Sequence, residues 1–181
     1  MSSTYLGTIA DQLLDIIVAG LAEETTGRPA PGTTFISHGV PNRLAYCCEG
    51  GYATVYLDPL RGVEHNPDLG GQTITGAHAM QQCITIPVGH FVLEWGRCVP
   101  KVSEDGWPSE TDIDLSASDL LEDLWAVLTE LYDRRASGAL AGADCGDITI
   151  GEAIPLEPAG GCAGWQVRLD LTLDDPGPTG S

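Results

Sequence analysis

Lysine is almost missing from this chain. Lys101 stands beside seven arginines, so 8 basic residues face 26 acidic ones and the formal net charge is −18 over 181 residues. A sequence-independent clamp on DNA or RNA needs lysine and arginine to displace counterions, and a surface this acidic disfavours that role. It still permits a wall past which DNA slides without sticking; the plainer reading is that acidity keeps the chain in solution. Long apolar runs are missing too. The best stretch, residues 13–22, is interrupted by Asp15 and is too short to cross a bilayer, so no membrane contact is expected. Residues 1–5 carry no basic segment, and Asp11 and Asp15 break up the adjoining apolar stretch, so the start does not read as a secretory signal.

The motifs of common chemistry are also lacking. Gly70-Gly71 is not followed by Gly-Lys-Ser/Thr, and neither a nucleophile elbow nor a dinucleotide turn occurs. Asp112 and Asp114 resemble the start of a calcium loop, but the required glycine and distal glutamate are misplaced, leaving a charged lead-in to a helix. The histidines His38, His65, His78 and His90 are scattered, with no pair at helical spacing to hold a metal; His65 and His78 bracket a glycine-rich stretch, where a solvated pair is the simpler reading. Six cysteines, Cys47, Cys48, Cys83, Cys98, Cys145 and Cys162, form no Cys-x-x-Cys pair. They are expected to be reduced and to act as small buried hydrophobes, with disulfides the alternative and metal binding the remainder. A nucleophilic triad around Cys47 or Cys98 has no local signature. The sequence thus nominates no catalytic, cofactor-binding or metal-ligating residue, and an enzyme is not expected.

What is present is a clear alternation of structural signals. Residues 5–24 place Leu6, Ile9, Leu13, Leu14, Ile16, Ile17 and Leu21 at helical spacing, and Gly27, Pro29, Pro31 and Gly32 end that helix. Residues 33–40 form a short strand candidate. Residues 46–57 read as another strand, entered through a turn or bulge at Gly50-Gly51. Residues 58–80, rich in glycine, read as a long loop. Residues 83–99 are apolar on both faces, which suits a central strand with a kink at Pro87 or Gly89. A polar linker, residues 101–110, leads to a long helix near residues 115–136. Ser116 or Ser118 would cap it, Asp119, Glu122 and Asp123 would complement its dipole at one end and Arg134 and Arg135 at the other, and Leu120, Leu121, Leu124, Val127, Leu128 and Leu131 would be its buried stripe. A short strand at 148–154 comes next. The last strand runs out of the turn at Gly160–Gly164, with Trp165, Val167, Leu169, Leu171 and Leu173 on its buried face and Gln166, Arg168, Asp170 and Thr172 on its wet face. This order predicts one α+β domain over residues 1–173, a small mainly antiparallel sheet flanked by the two helices, with a flexible tail at 174–181.

The amphipathic start, the Cys-Cys-Glu entry to a strand, the segment Ile86-Pro87-Val88-Gly89-His90-Phe91-Val92-Leu93-Glu94-Trp95-Gly96-Arg97-Cys98-Val99-Pro100 and the turn Gly160-Gly161-Cys162-Ala163-Gly164-Trp165 together resemble the tail terminator proteins of long-tailed bacteriophages of actinobacteria. The resemblance covers nearly the whole chain; Arg97–Pro100 and Gly160–Trp165 are its most distinctive pieces. It implies a structural virion protein at the head–tail junction: a hexameric ring of copies of this chain that caps the major tail tube protein, stops its polymerisation and meets the head-side stopper or connector protein. No cofactor is implied, and DNA is only a passenger in the channel. Six copies would bring roughly a hundred formal negative charges around that channel, and the loop at 58–80 would dock on the tube or a neighbouring copy. The alternatives are a head-closure protein on the connector side and a small cysteine- or metal-dependent enzyme using Cys47, Cys98 or His90.

Overall fold

A computed structural model describes residues 3–37, 39–46, 50–64, 85–100, 106–140, 148–159 and 161–172. Helix α1 (Ser3–Gly20) buries Ile9, Leu13, Ile16 and Ile17, with Leu21 just beyond, one stripe at helical spacing. A single turn, α2 (Glu23–Thr26), ends at Gly27, whose φ of 67° is the left-handed conformation that glycine adopts without strain. Strands β1 (Thr33–Ser37), β2 (Tyr52–Glu64), β3 (Thr85–Cys98), β4 (Ile148–Ala159) and β5 (Cys162–Thr172) form a sheet in the order β1-β2-β3-β5-β4. Only β1 and β2 run parallel; the other neighbours are antiparallel, so the α+β fold with a mainly antiparallel sheet is as expected. The short helix α3 (Arg43–Tyr46) lies on the connection that the parallel pair requires, and the long helix α4 (Glu110–Ala136) joins β3 to β4.

Helices α1 and α4 cover one face of the sheet. Ala53 and Val55 of β2, Phe91, Leu93 and Trp95 of β3, and Val167, Leu169 and Leu171 of β5 meet Val127, Leu131 and the α1 stripe in one core. The two helices touch closely: a side chain at Gly20 would stand 2.8 Å from the Val127 backbone. β3 is the central strand, as expected.

Several boundaries depart from the sequence reading. Tyr46 ends a helical turn, and β2 begins at Tyr52, after Gly50 and Gly51 with φ of 93° and 95°. β2 then continues through Asp58 to Glu64, where a loop was expected. Pairing with the long partner β3 outweighs the weak strand propensity of Asp-Pro-Leu-Arg-Gly, and the irregularity falls between Asp58 and Arg61 rather than at Pro87 or Gly89. The rest of the expected loop lies outside the described residues, as do the expected tail and Leu173. α4 starts earlier than expected because Ser109 caps it, its hydroxyl accepting from the Asp112 amide at 3.1 Å. β4 runs to Ala159, bulged between Ile150 and Ala153 and again between Leu156 and Ala159, with Pro155, Pro158, Glu152 and Glu157 exposed along this edge.

Candidate functional site

The face of the sheet turned away from α1 and α4 is polar at its centre, and the sequence reading missed this. Alternation along β3 sends Leu93 and Trp95 into the apolar core and Glu94 to the opposite side, where it is fully buried. Tyr46 of α3 packs on Phe35 with ring centroids 4.6 Å apart and lies 6.5 Å from the Tyr52 ring, which carries α3 over Glu94. Arg43 then forms a two-pronged ion pair, Nε to Oε1 at 2.8 Å and Nη2 to Oε2 at 2.9 Å, and the Tyr52 hydroxyl donates to Oε1 at 2.7 Å. Tyr56 reaches Oε2 at 3.4 Å. The hydrogen bonds to Glu94 hold the Arg43 guanidinium charged well above its ordinary range. Burial, reinforced by the Glu94 charge, pushes the Tyr52 hydroxyl strongly up and that of Tyr56 to about 12. Neutral phenols locked on a carboxylate are poor nucleophiles, so this cluster fastens α3 to the sheet. The signal was present: Glu94 is the one charge within the apolar run Phe91–Trp95.

A second buried carboxylate anchors α4. Asp123 has no solvent exposure and takes Arg28 Nη2 on Oδ1 at 2.6 Å, while Arg97 pairs with Oδ2 through Nε and with Oδ1 at 3.2 Å. Arg28 also reaches Glu122 at 2.8 Å and Asp119 at 3.2 Å. Burial works against the Arg28 charge, but the hydrogen bonds to Asp123 and Glu122 outweigh it and hold the guanidinium charged. The expected dipole role of these three acids is thereby corrected. The helix begins at Glu110, so Glu110 and Asp112 occupy its first turn, and Asp119, Glu122 and Asp123 serve Arg28 and Arg97 instead. Trp165, the fourth residue of β5, completes the fastening by donating its indole N–H to the Leu120 carbonyl at 2.8 Å.

Of the residues of the enzyme alternative, the two described, His90 and Cys98, do not meet. His90 and Cys98 lie on one strand, about eight residues apart, a span of roughly 26 Å. His90 faces Asp170 across the β3–β5 pair, Nδ1 to Oδ1 at 2.6 Å, within a cleft of about 390 Å³ that Asp58, Glu152 and Arg168 also line. Its Nε2 is walled in, with no hydrogen-bond partner among the described residues, so the imidazole does not present a base to a substrate. Among the described residues no group of three or more His, Cys, Asp or Glu could hold a metal. Cys47, His38, His65 and His78 lie outside the described residues.

One cysteine expectation is overturned: Cys162 is disulfide-bonded rather than a reduced thiol. It sits beside Tyr52 in the small cluster under α3, a tertiary placement that spacing along the chain does not reveal.

A concave surface lies on the outside of α4. Leu121, expected in the buried stripe, is 59% exposed; Trp125 is 74% exposed and Tyr132 52%, whereas Val127 and Leu131 are buried as expected. Leu121 and Trp125 form one wall of a groove of about 640 Å³, Ala19, Gly20, Thr25 and Thr26 the other, with Glu122 and Glu130 at its margin. Such apolar exposure on so acidic a chain suits contact with another protein. No protein-family model matches the chain, and no curated protein matches it either.

Proposed function

We propose that this chain is a structural assembly protein, a tail terminator of a long-tailed phage, which forms a ring with copies of itself on the end of the tail tube and joins it to the head connector. The observation that carries the assembly reading is the exposed apolar face of α4, with Leu121, Trp125 and Tyr132 turned to solvent beside the groove. The separation of Cys98 from His90 weighs in the same direction, against a cysteine-dependent enzyme. The more specific reading rests on the sequence resemblance, and the sheet supports it by bringing its two most distinctive pieces together: Arg97 and Cys98 of β3 lie opposite Ala163 and Cys162 of β5. The net charge of −18 suits a channel wall that DNA passes without binding.

Removal of the gene tests this directly. Overlong tails unattached to heads are expected, and tails of normal length would end the terminator reading. Electron microscopy of labelled protein separates the alternatives: density at the tube end supports a terminator, and density only on the connector side supports a head-closure protein.

A further inference from the structure

Leu121, Trp125 and Tyr132 recur at i, i+4 and i+11 of α4, one exposed helix face about 16 Å long. The groove beside it is walled by residues of α1, α2 and α4, so it offers side chains rather than a strand edge, and the small Ala19, Gly20 and Ala126 leave room for bulky apolar groups. Its surroundings are acidic on both walls. Glu122 and Glu130 stand at the margin, each already sharing one guanidinium, of Arg28 and Arg134 respectively. Beyond them Asp15 lies one turn before Ala19 on α1, Glu23 and Glu24 directly precede Thr25, and Asp114 lies one turn before Ser118; all four are exposed. Across its whole length α4 carries eight acidic residues against Arg134 and Arg135.

We propose that this groove receives a basic amphipathic helix of another protein, with apolar anchors on one face and lysine or arginine on its flanks. The anchors fill the space between Leu121, Trp125 and the α1 wall, in the manner of a helix laid in a groove. The flanking cations meet the acidic margins, and the exposed Trp125 ring adds a face to which a cation is drawn. A second copy of this chain fits less well. It brings a formal charge of −18, and of its seven arginines Arg28, Arg43 and Arg97 are tied to Asp123 and Glu94, and Arg134 to Glu130. This inference rests on the assembly reading above, because it names what the same exposed face takes.

The test is calorimetric titration of the full-length protein with two synthetic helical peptides of about four turns. Both carry leucine along one face; one carries lysine elsewhere, the other glutamate. The lysine peptide should bind, and binding should weaken as salt is raised from about 0.05 to about 0.5 M. Trp125→Ser and Leu121→Ser should each weaken it about tenfold or more with the circular dichroism unchanged. Neutralising the margin with Asp114→Asn and Glu130→Gln should weaken it several-fold, whereas removing two charges from the β4 edge with Glu152→Gln and Glu157→Gln should not. The proposal is overturned if the lysine peptide does not bind, if the glutamate peptide binds as tightly, if Trp125→Ser binds as well as wild type, or if the two neutralised variants behave alike. Sedimentation showing self-association that depends on Trp125 would also overturn it, with a second copy as the occupant. Failed peptide binding beside overlong tails in the gene deletion ends this inference alone; tails of normal length end the terminator reading whatever the peptides do.

Discussion

The two faces of the sheet are stabilised by different physics, although the same strands build both. Under α1 and α4, Leu93 and Trp95 of β3 meet an apolar helix stripe, and many interchangeable contacts share the stabilisation. Under α3, Glu94 of the same strand sits without solvent contact, and a few charged and phenolic groups must all be in place. The first arrangement tolerates repacking. The second fixes how the connection between β1 and β2 lies, because a buried carboxylate that loses its cation costs more than the ion pair contributes.

The sharpest way to break this contrast is on the polar side. Arg43→Ala leaves Glu94 buried without its cation and should destabilise the chain by about 3–5 kcal/mol, read as a lowered urea midpoint. The double replacement Arg43→Met with Glu94→Leu removes both charges and should recover most of that loss. On the apolar side, Leu93→Ala should cost about 2–5 kcal/mol through the cavity it leaves, with no charge-removing partner mutation able to restore it.

A smaller effect is expected from alkali. The Tyr56 hydroxyl ionises near 12 in the fold against an ordinary 10, with Tyr52 displaced the same way, so the folded state favours the neutral phenols. Their contribution is intact below pH 10 and is lost as pH climbs from 10 toward 12. In a spectrophotometric titration both tyrosines should ionise later than an exposed phenol, and Tyr56→Phe should flatten the alkaline fall in melting temperature. Trp125→Ser should move stability least, within about 0.5 kcal/mol, because the ring is already in water. Under the assembly role proposed above, it should nevertheless abolish ring formation on tube ends, measured by light scattering and electron microscopy.

These contrasts also explain what could be read from the chain. Alternation in β5 and the helical stripes of α1 and α4 were legible, because periodicity reports burial against a flat or cylindrical neighbour. The Glu94 and Asp123 sites were not. Their partners, Arg43, Arg28 and Arg97, are remote in sequence and meet them only after the sheet has formed, and an acid on a helix reads as solvated or dipole-complementing until its partner is known. Leu121 was misassigned for a related reason: α4 carries apolar residues on two sides, and sequence alone does not say which side meets the sheet. The Asp58–Glu64 extension was hidden because a residue's own preference gave way to a long partner strand.

The edge strand β4 is a poor template for pairing with another chain. Its two bulges, its prolines and the exposed Glu152 and Glu157 leave no straight row of amide and carbonyl groups for another chain to copy. β1, the opposite edge, is only five residues long. Crowded copies are therefore steered away from fusing their sheets along β4.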